Sequence, residues 1–267
     1  DAVHSASDVF STLIVLFGIK MAHKAPDQKH PYGHERMECV AALLLSILLA
    51  FTGIDICYNG LQKIFAFPSN AIQDRLLVPG GIAIAAALLS IIVKEAMYWY
   101  TRAAANRIHS SALLADACHH RSDAFSSVGS LLGILGARLG YPLLDPLAAA
   151  VISCFILKSA IVIFLDAIAK MTDRACDEQL RQSLLTTIRQ QPGVLGVDLL
   201  NTRLFGDKIY VEVEICADGN LSLEQTHQTA HQVHDRIEQR FPQVKHCTVH
   251  VNPFIKQLCC KSDYRAQ

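Results

Sequence analysis

Two stretches of the chain, DAVHSASDVFST at 1–12 and DACHHRSDAFSS at 116–127, share the pattern D-A-x-H-x-x-S-D-x-F-S. In each copy a histidine and an aspartate stand four residues apart, His4 with Asp8 and His119 with Asp123. On a helix that spacing places both side chains on one face, one turn apart. Two such helices side by side would offer two imidazoles and two carboxylates to a common centre. Four N and O ligands at about 2 Å form a tetrahedral set that suits Zn2+. Simple hydrogen bonding between helices is the competing use of such residues, and the duplication argues against it. Asp1 and Asp116, three residues before each histidine, fall near the same face. They are candidates to orient the imidazoles from behind, or else they line a cavity or a solvated helix end. His120 and Arg121 have no counterpart in the first copy and stay outside this set.

Further histidines cluster elsewhere. The segment DQKHPYGHE carries Asp27, His30 and His34 at spacings of three and four, which either hold a metal or shape the turn and the following helix start. His227, His231 and His234 share one face of a C-terminal helix, and His246 and His250 share one side of the last strand, with Asn252 after them. Cys247, Cys259 and Cys260 are possible soft ligands nearby. For the Cys259-Cys260 pair, plain tail residues or lipidation are equally open.

The elements that must carry these groups are mostly apolar. The composition is 51% hydrophobic and 18% charged, whereas soluble chains are nearer a quarter charged. Apolar runs at 1–22, 39–62, 76–99, 110–138 and 143–169 are long enough, or nearly so, to cross a ~30 Å hydrocarbon layer. Carboxylates in such surroundings are costly and imply a functional site. Lys20, Lys24, Lys29 and Arg36 enrich the first connection, and Arg102 and Arg107 the third, against Lys63 and Arg75 in the second and Arg138 in the fourth. That bias puts the first and third connections, and all that follows the last span, in the cytoplasm. The chain opens inside a hydrophobic pattern without Met, as a helix entered part-way would.

Beyond residue 172 the pattern becomes that of a soluble domain. DEQLRQSLLTTIRQQ has a helical period ending at Pro192-Gly193, and VLGVDLLNTRLFG and KIYVEVEICA read as strands about Gly206-Asp207. SLEQTHQTAHQVHDRIEQRF opens with a capping signature, Ser222 with Gln225, and HCTVHVNP is a last strand. The order αββαβ predicts an α+β sandwich with both helices on one sheet face. The expected division is a transmembrane domain at 1–171, a cytoplasmic domain at 172–255 and a mobile tail at 256–267. Zero net charge argues against nucleic acid as a partner. Nine scattered cysteines fit reduced thiols better than a disulfide framework. A membrane metalloenzyme is disfavoured, because neither HExxH nor a Glu-x-x-His pair occurs in the spans.

The two His-Asp motifs, the loop APDQKHPYGHERMEC and the αββαβ module together resemble the cation diffusion facilitator family of divalent-metal transporters, over essentially the whole chain. The resemblance implies an α-helical transmembrane bundle, with five of the usual six helices present here, followed by a cytoplasmic ferredoxin-like domain. It implies transport through His4, Asp8, His119 and Asp123, where His in place of Asp resembles zinc members more than manganese ones. It supports a metal at Asp27, His30 and His34. It also implies a cytoplasmic-domain metal site to which His227 and His250 correspond, with Asn252 departing from the family's acidic residue. Arg36 is expected to pair with an aspartate past the last span, Asp173 or Asp177. A homodimer through the cytoplasmic domain and a bacterial inner or plasma membrane are further implications.

Imidazoles and carboxylates bind metal in competition with protons. The expected activity is therefore proton-coupled export of Zn2+, with Cd2+, Co2+ and Fe2+ as alternatives. A membrane-anchored metal sensor or scaffold without transport is the alternative function.

Overall fold

The computed structural model describes residues 2–70, 81–108, 110–138 and 144–254, and of 2–10, 66–70, 81–87, 130, 133–135, 137–138 and 144–145 only the backbone. The chain divides into two compact units, Asp1–Ile168 and Ala169–Gln267.

The first unit is helical: α1 (Ala2–Ala22), α2 (Met37–Asn70), α3 (Gly81–Ile108), α4 (Ser111–Arg138) and α5 (Leu144–Met171), whose last turn enters the second unit. Its core joins Val15 of α1, Leu45 and Leu49 of α2, Ala115 of α4, and Ile156, Ala160 and Ile163 of α5. Facing away from that core, Phe51 and Ile54 of α2 and Val151, Phe155 and Val162 of α5 are exposed. Large apolar side chains turned outward along whole helices are what a hydrocarbon solvent requires. Small residues let the helices approach: a Cβ on Gly18 would collide with that of Ala41, and one on Gly53 would lie 3.0 Å from Ile156 and Leu157.

Among the described residues two segments, Met37–Phe65 and Pro146–Met171, are long and apolar enough to span a bilayer, and Ser11–Ala22 is a shorter apolar helix. Polar residues interrupt the apolar runs of α3 and α4. Helix α4 carries Asp116, His119, His120, Arg121 and Asp123, and α3 carries Lys94, Glu95, Arg102 and Arg107. The two carboxylates and two imidazoles of α4 are buried. They lower its apolar content without being turned toward lipid.

The second unit contains α6 (Glu178–Arg189), β1 (Gly196–Phe205), β2 (Lys208–Ala217), α7 (Leu223–Arg240) and β3 (Val244–Pro253), the αββαβ order read from the sequence. Strand β1 pairs antiparallel with β2 through a turn at Gly206 (φ 66°), a left-handed conformation that suits glycine. Strand β3 pairs parallel with β2, and α7 makes the crossover such a pair needs. The capping box holds: Gln225 N–H donates to Ser222 Oγ at 3.3 Å, and Ser222 N–H to Gln225 Oε1 at 3.1 Å. Val211, Val213 and Ile215 alternate onto one sheet face, where Leu184 and Ile188 of α6 and Val233 and Ile237 of α7 cover them. The opposite face carries Glu212, Glu214, His250 and Asn252.

Candidate metal centres

Helix α4 buries His119 and Asp123 at 3% and 2% exposure, with Nε2 and Oδ2 3.8 Å apart. Helix α1 packs beside α4, Val15 sharing a core with Ala115. His4 and Asp8 lie on α1, but their side chains, and all of Asp1, fall outside the described residues. Asp116 pairs with a residue of its own helix. Its Oδ2 lies 3.5 Å from Nε2 of His120, because a helix brings i and i+4 together. His120, set aside on sequence grounds, thus makes a second buried His-Asp pair one step round the helix. Arg121 stacks over Tyr98 at 4.5 Å and donates to its Oη at 2.8 Å, which joins α3 to α4.

The second cluster forms between α1 and α2. Ligand atoms of Asp27, His30 and His34 all lie within 4.8 Å of one another. Asp27 Oδ1 is 3.4 Å from His30 Nδ1, and Oδ2 is 3.5 Å from His34 Nε2. Asp27 also shapes the turn, accepting from the backbone N–H of Lys29 at 3.0 Å and of His30 at 2.8 Å. The Lys24 ammonium at 2.9 Å, then the His30 N–H, hold its carboxyl well below the usual carboxylate range. The turn that Asp27 shapes also presents its ionised carboxylate to two imidazoles.

In the cytoplasmic unit, His227, His231 and His234 line α7 with ring centroids 6.0 and 5.9 Å apart, and His246 of β3 lies 5.4 Å from His234. The ligand atoms that converge belong to His234, Glu238 and His246. Glu238 was missed, although His-x-x-x-Glu at 234–238 repeats the helical spacing that flagged the transport motif. His231 pairs instead with Asp235 at 3.1 Å. His227 and His250 join no three-ligand group among the described residues. His250 stands opposite Glu214 in the ladder. The Asn252 amide donates to Asp198 Oδ2 at 3.0 Å and Glu214 Oε2 at 3.3 Å. Cys247 is corrected as a soft ligand. Its thiol is packed in the core, and burial, then the Glu238 carboxylate, pushes it up to about 12. Cys259 and Cys260 lie outside the described residues. Arg36 precedes α2 in the first unit, whereas Asp173 (φ 61°) and Asp177 follow α5 in the second.

A helical membrane unit with buried His-Asp pairs, followed by a histidine-rich α+β unit, is the build of a metal-ion transporter. Residues 1–172 match the cation efflux transmembrane domain and residues 176–254 the cation efflux protein cytoplasmic domain. The chain belongs to the cation efflux, or cation diffusion facilitator, family of divalent-metal transporters. It is an integral membrane protein with a cytoplasmic C-terminal domain. Metal tolerance protein C1 of Arabidopsis thaliana is 32% identical over 98% of this chain, which spans 57% of that protein's length. An uncharacterised transporter of Methanocaldococcus jannaschii is 33% identical over 94% of this chain and 86% of its own. The manganese efflux system protein MneP of Bacillus subtilis is 28% identical over 96% of this chain and 86% of its own. A solved MamM C-terminal domain shares 22% identity, covering 29% of this chain and 98% of that structure, with a TM-score of 0.28.

Proposed function

We propose that the protein exports divalent cations, Zn2+ foremost, from the cytoplasm in exchange for protons, and that His4, Asp8, His119 and Asp123 coordinate the ion. The observation that carries this reading is the pair His119–Asp123, buried to 3% and 2% on a helix of the membrane unit beside the helix that repeats its motif. A buried carboxylate beside an imidazole favours either a proton or a metal cation between the two. An ion entering from the cytoplasm displaces protons from the imidazoles and carboxylates. Protons arriving from the other side displace the ion in turn. Two imidazoles with two carboxylates favour Zn2+, and accept Cd2+, Co2+ and Fe2+, over the hard Mn2+ ion. Asp27, His30 and His34 form a second cation site at the membrane surface, and the cytoplasmic units of two copies pair to make a homodimer.

The test is Zn2+ flux into proteoliposomes under an imposed pH gradient. Asp123→Ala should abolish flux while protein insertion is unchanged. Undiminished flux would overturn transport through this site and favour the sensor or scaffold alternative. A His4→Asp variant that leaves the preference for Zn2+ over Mn2+ untouched would overturn the assignment of zinc.

A further inference from the structure

We propose that His234, Glu238 and His246 form a site for a zinc-class divalent cation that staples α7 to the outer edge of the cytoplasmic sheet. The site stands apart from the transport reading, because every residue it needs lies in the second unit.

The edge supplies the first argument. With strand order β1-β2-β3, one side of β3 has no strand beside it among the described residues. A bare edge leaves backbone groups unpaired. Here Cys247 N–H donates to Glu238 Oε1 at 3.0 Å, and Cys247 C=O lies 2.6 Å from His234 Nδ1. Two side chains one turn apart on α7 thus satisfy both backbone groups of one edge residue.

That hydrogen bond also fixes the chemistry of the imidazole. A carbonyl can only accept, so His234 Nδ1 carries the hydrogen, and in the neutral ring Nε2 presents a lone pair. Nε2 faces Glu238 Oε1 at 3.4 Å, and the same oxygen lies 3.2 Å from His246 Nδ1. A lone pair set against a carboxylate oxygen is repulsive unless a proton or a metal ion sits between them. An imidazole whose second nitrogen is anchored on a backbone carbonyl is the arrangement metal-binding histidines use to set tautomer and ring orientation. Glu238 is braced in the same way by the Cys247 N–H.

The donor set selects the ion. Two imidazole nitrogens and one carboxylate oxygen suit Zn2+ or Co2+ better than the hard, oxygen-seeking Mg2+ or Ca2+. Three protein ligands leave the fourth tetrahedral position to water. His246 is 54% exposed at its side chain and Glu238 31%, so an ion reaches the site without unfolding the domain. The site is displaced from the positions the family resemblance marks. Asn252 is occupied with Asp198 and Glu214, and His250 stands across from Glu214. A cation bound at the trio ties a helix to a strand, and so stabilises the cytoplasmic unit with the logarithm of the free metal concentration once that exceeds the Kd.

Co2+ serves as a visible probe in titrations of the purified full chain in detergent, with Zn2+ as competitor. In an Asp27→Ala, Asp123→Ala background, His246→Ala should remove one tetrahedral Co2+ equivalent or weaken it at least about tenfold. Glu238→Gln keeps an oxygen acceptor for the Cys247 N–H but removes the charge, and should weaken the same equivalent. His227→Ala and His250→Ala should leave it unchanged. Without the background changes, His246→Ala should still lower total stoichiometry by one, which guards against damage from those substitutions. The proposal is overturned if His246→Ala and Glu238→Gln titrate like their parent, or if His250→Ala removes the same equivalent. Loss of flux in Asp123→Ala decides the transport reading and leaves this result unaffected.

Discussion

Asn252 sits where relatives of this type are expected to carry an acid, and its neighbours set the cost of restoring one. Its amide donates to two carboxylates, Asp198 at 3.0 Å and Glu214 at 3.3 Å, and Cys216 Sγ also lies 3.0 Å from that Asp198 oxygen. Asn252→Asp turns two attractive contacts into two like-charge ones. Hydrogen bonds to charged groups contribute about 1.5–3 kcal/mol each, and the half-buried setting places these at the lower end. Repulsion at such distances adds about 1–2 kcal/mol after solvent screening, and is limited by protonation of one carboxyl. The metal-free domain should therefore lose about 4–5 kcal/mol at neutral pH, or about three to four decades of amide protection.

The pH dependence follows from the sign of the shift. An added carboxyl beside two others has its folded pKa raised above the unfolded value. The deficit is then full above the folded pKa and vanishes below the unfolded one, so it should shrink as pH falls from 7.5 toward 4.5. Hydrogen exchange followed by mass spectrometry on peptides from β2 measures this in the full chain with a chelator present. Unchanged protection at pH 7.5, or a deficit equal at both pH values, would refute the reasoning.

Two further outcomes follow from packing. Gly18→Ala puts a methyl against Ala41 and should destabilise the membrane unit by about 1–3 kcal/mol, offset by up to about 1 kcal/mol of helix propensity. Thermal unfolding in detergent should show the loss and its partial rescue by Ala41→Gly, and a more stable single variant would contradict the close approach of α1 and α2. Cys247, with its thiol raised from 9.0 to about 12, should hold roughly a thousandfold less thiolate at pH 8 than an unshifted thiol. Iodoacetamide should spare it in the folded chain and label it in urea, as read by mass spectrometry; equal labelling rates would contradict its burial.

Much of this protein was legible without coordinates because the relevant signals are local. His119 and Asp123 are four residues apart on one helix, and spacing alone puts them on one face. The same holds for the capping box at Ser222 and for the alternation of Val211, Val213 and Ile215, which assigns one face of β2 to the core. Local rules also contained two facts that were passed over. Asp116 reaches i+4 to His120, and Glu238 stands four residues beyond His234.

What the sequence could not supply was convergence between elements distant along the chain. His246 meets His234 and Glu238 only because α7 crosses over to set β3 parallel to β2. The inward turn of Cys247 and the commitment of Asn252 to Asp198, 54 residues away, come from that same strand placement. Residue type and spacing determined which groups can bind a cation. The crossover and the sheet register decided which of them meet, because bringing distant segments together depends on packing the whole domain and not on any one helix or strand.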